Sequence, residues 1–261
     1  MPDETDKPQT EIERPIDPVQ AALFDEMTKA GLLYGRRKSK TNPKMKKRFV
    51  LMTRSGIEVF DLAKTTVAVD EAVAFLSETV KNRGTILFVG TEPAAKDLVK
   101  KTAESLGAPY VIERWLGGTL TNFETISRRI EYYRTLKADK AAGKFEKYTK
   151  KERVLLDRKI DKLTKFFSGV ETMSRLPEVL FVADAGKHPT AVREAKKVRI
   201  PVVAIVNSDT DPDLVKYPIP ANGSSVVSLA WVLHHVEEAL LKAKAQAAAA
   251  SAAQLKTAEN K

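Results

Sequence analysis

Three runs of strand length are apolar almost from end to end: TILFVG (85–90), VLFVAD (179–184) and PVVAIVN (201–207). A strand that is apolar on both sides must be covered on both faces, which is the condition of a parallel sheet between helices. The intervening segments have helical periodicity. In TTVAVDEAVAFLSETVKN, Val69, Val73, Leu76 and Val80 recur at steps of four, three and four. After TILFVG, Thr91 is placed to cap a helix with Pro93 in its first turn. Leu98, Val99 and Leu106 give that helix its apolar side, and Gly107 ends it. YVIE (110–113) is a further strand, and helices follow over 191–198 and from 224 to 242. FVLMTR (49–54) and IEVF (57–60) flank Ser55-Gly56, which predicts a hairpin. Buried strands alternating with helices predict a doubly wound parallel sheet, a Rossmann-like or flavodoxin-like α/β fold.

Between residues 123 and 170 the alternation stops. Phe123, Ile126, Ile130 and Tyr133 step by three, four and three, and Leu156, Ile160, Leu163 and Phe167 by four, three and four. That is the seam spacing of two paired helices. KADKAAGKFEKYTKK, with Gly143, forms the turn between them. The expectation is an inserted antiparallel coiled-coil hairpin, an arm of ~18 residues projecting ~27 Å. The α/β domain then comprises residues 21–122, with an N-terminal basic loop and the β-hairpin, and residues 171–241; the hairpin insertion is 123–170. Residues 1–20 hold six acids, two bases and four prolines and read as a disordered acidic arm. Residues 242–261 are an Ala/Lys-rich tail that extends the preceding helix but builds no core.

Charge points to the partner. Lys and Arg number 44 against 34 Asp and Glu, a net +10. Because the acidic arm sums to −4, the remainder carries +14. Residues 29–54 contain ten bases and no acid, interleaved with Tyr34 and Phe49, and Asn42-Pro43 is read as a turn that shapes the loop. Cations at this density need a counter-charge, and phosphate supplies one. Residues 128–165 hold fourteen bases against six acids. The candidate polyanion-binding residues are therefore Arg36, Arg37, Lys38, Lys40, Lys44, Lys46, Lys47, Arg48 and Arg54 in the loop, and Arg128, Arg129, Lys150 and Lys151 on the hairpin. Arg114 ends a strand and either reaches phosphate or caps the turn. Its neighbour Trp115 is expected to pack the root of the hairpin. Charge alone does not choose among RNA, DNA and a lipid surface.

Catalytic signals are weak. There is no cysteine, which excludes disulfides, thiol nucleophiles and cysteine-held metals. The turn after TILFVG, GTEPAAK, has one glycine and neither GxGxxG nor GKS/T, and Gly117-Gly118 lacks a lysine at Walker spacing. Asp209, Asp211 and Asp213 resemble a calcium loop, but its sixth position is Leu214 and its twelfth Pro220, so they read as a turn and cap cluster. His188 reads as structural or solvated. His234 and His235 are adjacent on a helix and cannot share a site. Asp184 ends a strand without a nucleophile or base beside it. No catalytic residue, metal or cofactor is expected. No apolar run approaches the ~20 residues of a membrane helix, and the N-terminus resembles neither a secretory nor a mitochondrial leader, so a cytoplasmic protein is expected.

TNPKMKKRFVLMTRSGIEVFDLAKT (41–65), GTILFVGT (84–91), PYVIERWLGGTLTNFETISRRI (109–130), RLPEVLFVADAGKH (175–188), IPVVAIVNSDTDPD (200–213) and YPIPAN (217–222) resemble the bacterial small-subunit ribosomal protein S2 family. RWLGGTLTNF (114–123) is the most specific piece. The resemblance spans residues 21–241. It implies a Rossmann-like domain with an inserted coiled-coil hairpin, binding to small-subunit ribosomal RNA near the junction of head and body, and contact with neighbouring small-subunit proteins including the largest one. It further implies no catalytic activity, no membrane partner and no homo-oligomer. Leu33 and Arg36 stand where the family commonly has histidines and Thr41 where it has tryptophan, so no metal-binding or stacking role is transferred to them. NSDTDPD and PIPANGSS vary a more acidic family pattern, which weakens any cation site there. A nucleotide- or cofactor-binding α/β enzyme and a free RNA-binding regulator are the rival readings.

Overall fold

The computed structural model describes residues 18–259. The expected acidic arm lies outside the described residues up to residue 17, whereas 18–20 open a helix. In chain order the elements are α1 (Pro18–Lys29), β1 (Tyr34–Arg37), α2 (Pro43–Phe49), β2 (Val50–Arg54), β3 (Ile57–Phe60), α3 (Leu62–Lys81), β4 (Ile86–Val89), α4 (Pro93–Leu106) and β5 (Tyr110–Val111). Then come α5 (Phe123–Ala141), α6 (Lys150–Phe167), β6 (Val179–Val182), α7 (Pro189–Lys197), β7 (Val202–Val206), β8 (Tyr217–Pro220) and α8 (Val226–Glu259).

β4 to β8 form a parallel sheet in the order β5-β4-β6-β7-β8. Counted within the sheet this is 2-1-3-4-5, the flavodoxin-like order. Its three inner strands are buried throughout. Successive residues of a strand point to opposite faces, and the core divides accordingly. Leu87, Val89, Leu180, Val182, Ala204 and Val206 meet α7, Met45 and Phe49 of α2, and the roots of α5 and α6. Ile86, Phe88, Val179, Phe181, Val203 and Ile205 meet α1, α3, α4 and α8.

The doubly wound sheet and the hairpin of β2 and β3 agree with expectation, and differences concentrate at edges and caps. β8 was not anticipated, because Pro218 and Pro220 cannot donate to a ladder. They pair with Ala204 and Val206 at the sheet's edge, where one side needs no donors. β1, also unanticipated, adds to β3 in a separate antiparallel sheet of order β1-β3-β2. α3 starts at Leu62, because Asp61 accepts hydrogen bonds from the N–H groups of Ala63 and Lys64. Thr91 does not cap α4: the cap position is Glu92, with no side-chain bond. Gly107 does end α4, in the left-handed conformation at φ 62°. α8 continues through the expected tail to Glu259.

α5 and α6 pair in opposite directions. Lys159 Nζ meets the Tyr132 hydroxyl at 2.5 Å, while further along α5 Lys140 meets Asp157, nearer the start of α6, at 2.8 Å. α6 opens with a capping box between Thr149 and Glu152. Ile126, Ile130, Tyr133 and Phe167 are buried in the same cluster as the sheet, so the near half of the pair is rooted in the core.

Candidate nucleic-acid interface

Residues 36–54 are not a loop. They run through β1, a short 3-10 turn (Lys38–Lys40), α2 and β2. Asn42 does not make a free turn either: its Oδ1 accepts the Lys44 N–H at 2.9 Å, and Pro43 takes the first helical position. The same Asn-Pro chemistry serves a turn or a helix start, and the next residues along the chain decide between them. Here Met45 and Phe49 lie four residues apart and are buried at 0% and 5% exposure. They anchor one stripe of the helix in the core. The remaining surface of α2 carries Lys44, Lys46, Lys47 and Arg48.

Part of the counter-charge comes from the chain itself. Lys44 Nζ lies 2.9 Å from Asp211 and 2.7 Å from Asp213. Those hydrogen bonds, donated to Asp213 and, second in effect, to Asp211, hold the Lys44 ammonium above its ordinary range. The Lys44 bond correspondingly lowers the Asp211 carboxyl. Arg36 Nε lies 3.7 Å from Asp209, and its guanidinium also donates to the Ser224 hydroxyl at 2.8 Å. The aspartate cluster is the turn and cap expected of it, since Asp211 accepts the Asp213 N–H at 3.0 Å. It is also the acidic counterpart of β1 and α2, a role the sequence did not reveal. Among the described residues, Arg37, Lys38, Lys40, Lys46, Lys47, Arg48 and Arg54 form no salt bridge. Arg48 lies over the Phe49 ring, 4.9 Å from its centroid. All of these cations are exposed, as are Leu51 and Met52 of β2.

On the helical pair, the acids neutralise some bases and leave others. Arg128 pairs with Glu124, Arg134 with Glu131, Lys137 with Glu171, Lys140 with Asp157 and Lys144 with Asp139. Arg129, Lys150 and Lys151 form no salt bridge among the described residues. The last two occupy the first turn of α6, where the helix dipole adds to their positive potential.

The RWLGGTLTNF segment is organised by a residue that sequence reasoning missed. Glu194 of α7 is 8% exposed. Its Oε1 accepts from Trp115 Nε1 at 3.0 Å and from the Gly118 N–H at 2.9 Å. Its Oε2 accepts from the Leu120 N–H at 3.0 Å and from the N–H and hydroxyl of Thr121, each at 3.3 Å. Burial alone pushes this carboxyl up; the hydrogen bonds from Trp115, Gly118, Leu120 and Thr121 outweigh it and hold the group below the usual range. Trp115 packs half-buried against the core at the base of the helical pair, as expected, and Arg114 beside it is exposed.

The crevice at the carboxyl ends of β4 and β6 is where this strand order places ligands. It is packed by His188, 4% exposed. The Thr91 N–H donates to His188 Nε2 at 3.1 Å, and His188 Nδ1 donates to the Asp184 carbonyl at 2.8 Å. The ring is thus fixed as the Nδ1–H tautomer and structural. A Cβ on Gly90 would lie 2.7 Å from Val99, so this glycine serves close strand–helix packing. Asp184 turns back on its own chain, accepting the Gly186 N–H at 2.9 Å. Burial pushes its carboxyl up.

A flavodoxin-like parallel sheet with a paired-helix insertion and an exposed basic segment defines the class of α/β protein. The chain belongs to the ribosomal protein S2 family, whose model matches residues 27–243. It is 42% identical over 219 residues to the small ribosomal subunit protein uS2 of Coprothermobacter proteolyticus, covering 84% of this chain and 81% of the relative. Against uS2 of Thermus thermophilus the identity is 41%, with 84% and 85% covered. Against that of Corynebacterium urealyticum it is 42%, with 87% and 86% covered. No described helix is long and apolar enough to cross a membrane.

Proposed function

We propose that the chain is a structural component of the small ribosomal subunit that binds its ribosomal RNA, chiefly at phosphates, and carries no catalytic activity. The observation that carries the reading is the set of exposed cations without carboxylate partners among the described residues, Arg37, Lys38, Lys40, Lys46, Lys47, Arg48 and Arg54, three of them on a helix that Met45 and Phe49 tie to the core. Lys44 and Arg36 position that segment through Asp209, Asp211 and Asp213, and reach RNA only at its margin. Arg114, Arg129, Lys150 and Lys151 form a second contact region on the helical pair, an insertion spanning residues 123–170. Phosphate contacts orient the protein without reading sequence. Neighbouring small-subunit proteins, the largest among them, are the proposed protein partners. Against an α/β enzyme stands the crevice itself: His188 takes the Thr91 N–H that a bound phosphate would need.

Co-sedimentation of the tagged chain with small subunits, followed by crosslinking to RNA, tests the reading. The expected result is the chain in the subunit peak with crosslinks at residues 37–54. A chain found only in the soluble fraction would overturn it in favour of a free regulator.

A further inference from the structure

The basic face has a second candidate occupant, and the chain encodes it. Residues 1–17 carry six acids (Asp3, Glu4, Asp6, Glu11, Glu13, Asp17) against Lys7 and Arg14. The face at residues 37–54 carries the opposite sign, and apart from Lys44 its cations form no salt bridge among the described residues. Charge is therefore complementary between a segment and a surface of one molecule.

Two further features narrow the place. β2 is an edge strand of its sheet, so its outer N–H and C=O groups face solvent, and residues 51–54 are all exposed. Leu51 and Met52 are 64% and 54% exposed there, between Arg48 and Arg54 in the sequence. Edge strands with such side chains accept extended peptides. The arm's sequence alternates acid and apolar residue in one stretch, TEIER (10–14), where Glu11 and Glu13 flank Ile12. Ile16 lies four residues further on.

The tether permits the contact. Pro18 begins α1, which runs about 18 Å to Lys29, and residues 30–33 lead from there into β1. β2 lies two strand spacings, about 10 Å, beyond β1. Seventeen extended residues span roughly 55–60 Å, more than this whole path laid end to end. A tether of this length holds the arm near the face at an effective concentration of about millimolar.

We propose that residues 1–17 dock along β2 and α2 in the RNA-free protein, acids against Arg48, Arg54, Lys46 and Lys47 and isoleucines on Leu51 and Met52, and that RNA displaces them. The displacement half rests on the RNA-binding reading above; the docking half does not.

The cysteine-free chain makes the test clean. A single Gln9→Cys substitution in the full chain carries a nitroxide spin label. NMR relaxation should then broaden the amides of residues 46–54 in the absence of RNA, and the broadening should fade in 0.5 M salt and on addition of a structured RNA. Broadening elsewhere, or nowhere, overturns the docking whatever RNA does. In parallel, the full chain with its six arm acids changed to Asn or Gln, and the chain lacking residues 1–17, are titrated with a short unrelated RNA at low salt. Both should bind roughly 3–10-fold more tightly than the native chain, the gain vanishing at high salt. Unchanged or weaker binding by both variants overturns the competition. Docking without any RNA binding would instead count against the RNA-binding reading.

Discussion

Replacing Glu194 by glutamine should destabilise the molecule, loosening the RWLGGTLTNF segment first. The carboxylate accepts five hydrogen bonds from four residues of that segment. Glutamine offers one oxygen and one NH2 group in the same volume. If its oxygen takes the Oε1 position, the N–H groups of Leu120 and Thr121 face a donor; if it takes the other, Trp115 Nε1 and Gly118 do. Either way two donors are left without an acceptor, in a place 8% exposed. A buried unsatisfied donor costs about 1–3 kcal/mol, and bonds to a charged group are at the strong end, so the loss is about 3–5 kcal/mol. For a chain of this size that lowers Tm by roughly 10 °C. Scanning calorimetry measures the shift, and Trp115 fluorescence in a Trp231→Phe background reports whether the segment loosens first. The pH dependence supplies a check with a fixed sign. The folded Glu194 carboxyl lies below its ordinary value, so its contribution is present above the unfolded value near 4.3 and is lost as pH falls through the folded one. The gap between native and E194Q chains should therefore be full at pH 7 and narrow on acidification below about pH 4. Equal stability at pH 7 would refute the reasoning.

Trp115→Ala should cost about 3 kcal/mol in urea unfolding, since it removes a half-buried indole and one of the same five bonds; a loss of RNA affinity with no loss of stability would make Trp115 a contact residue instead. Lys46→Ala with Lys47→Ala should weaken binding to unrelated structured RNAs alike and reduce the salt slope by up to ~0.9 for each phosphate no longer neutralised, and an unchanged slope would reject phosphate binding at these lysines. The helical pair should tolerate a short Gly/Ser turn joining Leu136 to Arg158, with a folded core by calorimetry and poorer incorporation into subunits. Cutting from 128 to 165 instead should destabilise the core, because it removes Ile130 and Tyr133, each 1% exposed, and Ile160.

How much of the fold the sequence makes legible depends on how local each signal is. β4, β6 and β7 announce themselves because burial on both faces demands unbroken apolar runs, and the helical pair does so through its three-four spacing. β8 hides behind its prolines. β1, YGRR, has no alternation to see and is a strand only because β3 offers it a backbone ladder. The basic segment was legible as charge but not as shape, since its helix is defined by only Met45 and Phe49. Glu194 was invisible for the opposite reason: in PTAVREAKK a single acid among bases looks like a solvated one, and only the fold brings the Gly-Gly loop around it. The aspartates opposite Lys44 failed the same test, being sound turn residues whose other partner is distant in sequence.

That last distance has a consequence in time. Lys44 and Asp211 are separated by 167 residues, and chains grow at about 5–20 residues per second. Synthesis of Asp211 thus comes after that of Lys44 by roughly 8–33 s. In that interval β2 and β3 are completed and β4 to β7 are added one after another, while the carboxylates that hold Lys44 and Arg36 come at its very end. For those seconds the nascent chain carries its densest cationic stretch without the aspartates that hold Lys44 and Arg36 in the finished fold. Pairing on this face is vectorial: Lys44 and Arg36 are made early, and their aspartates are added only after β7.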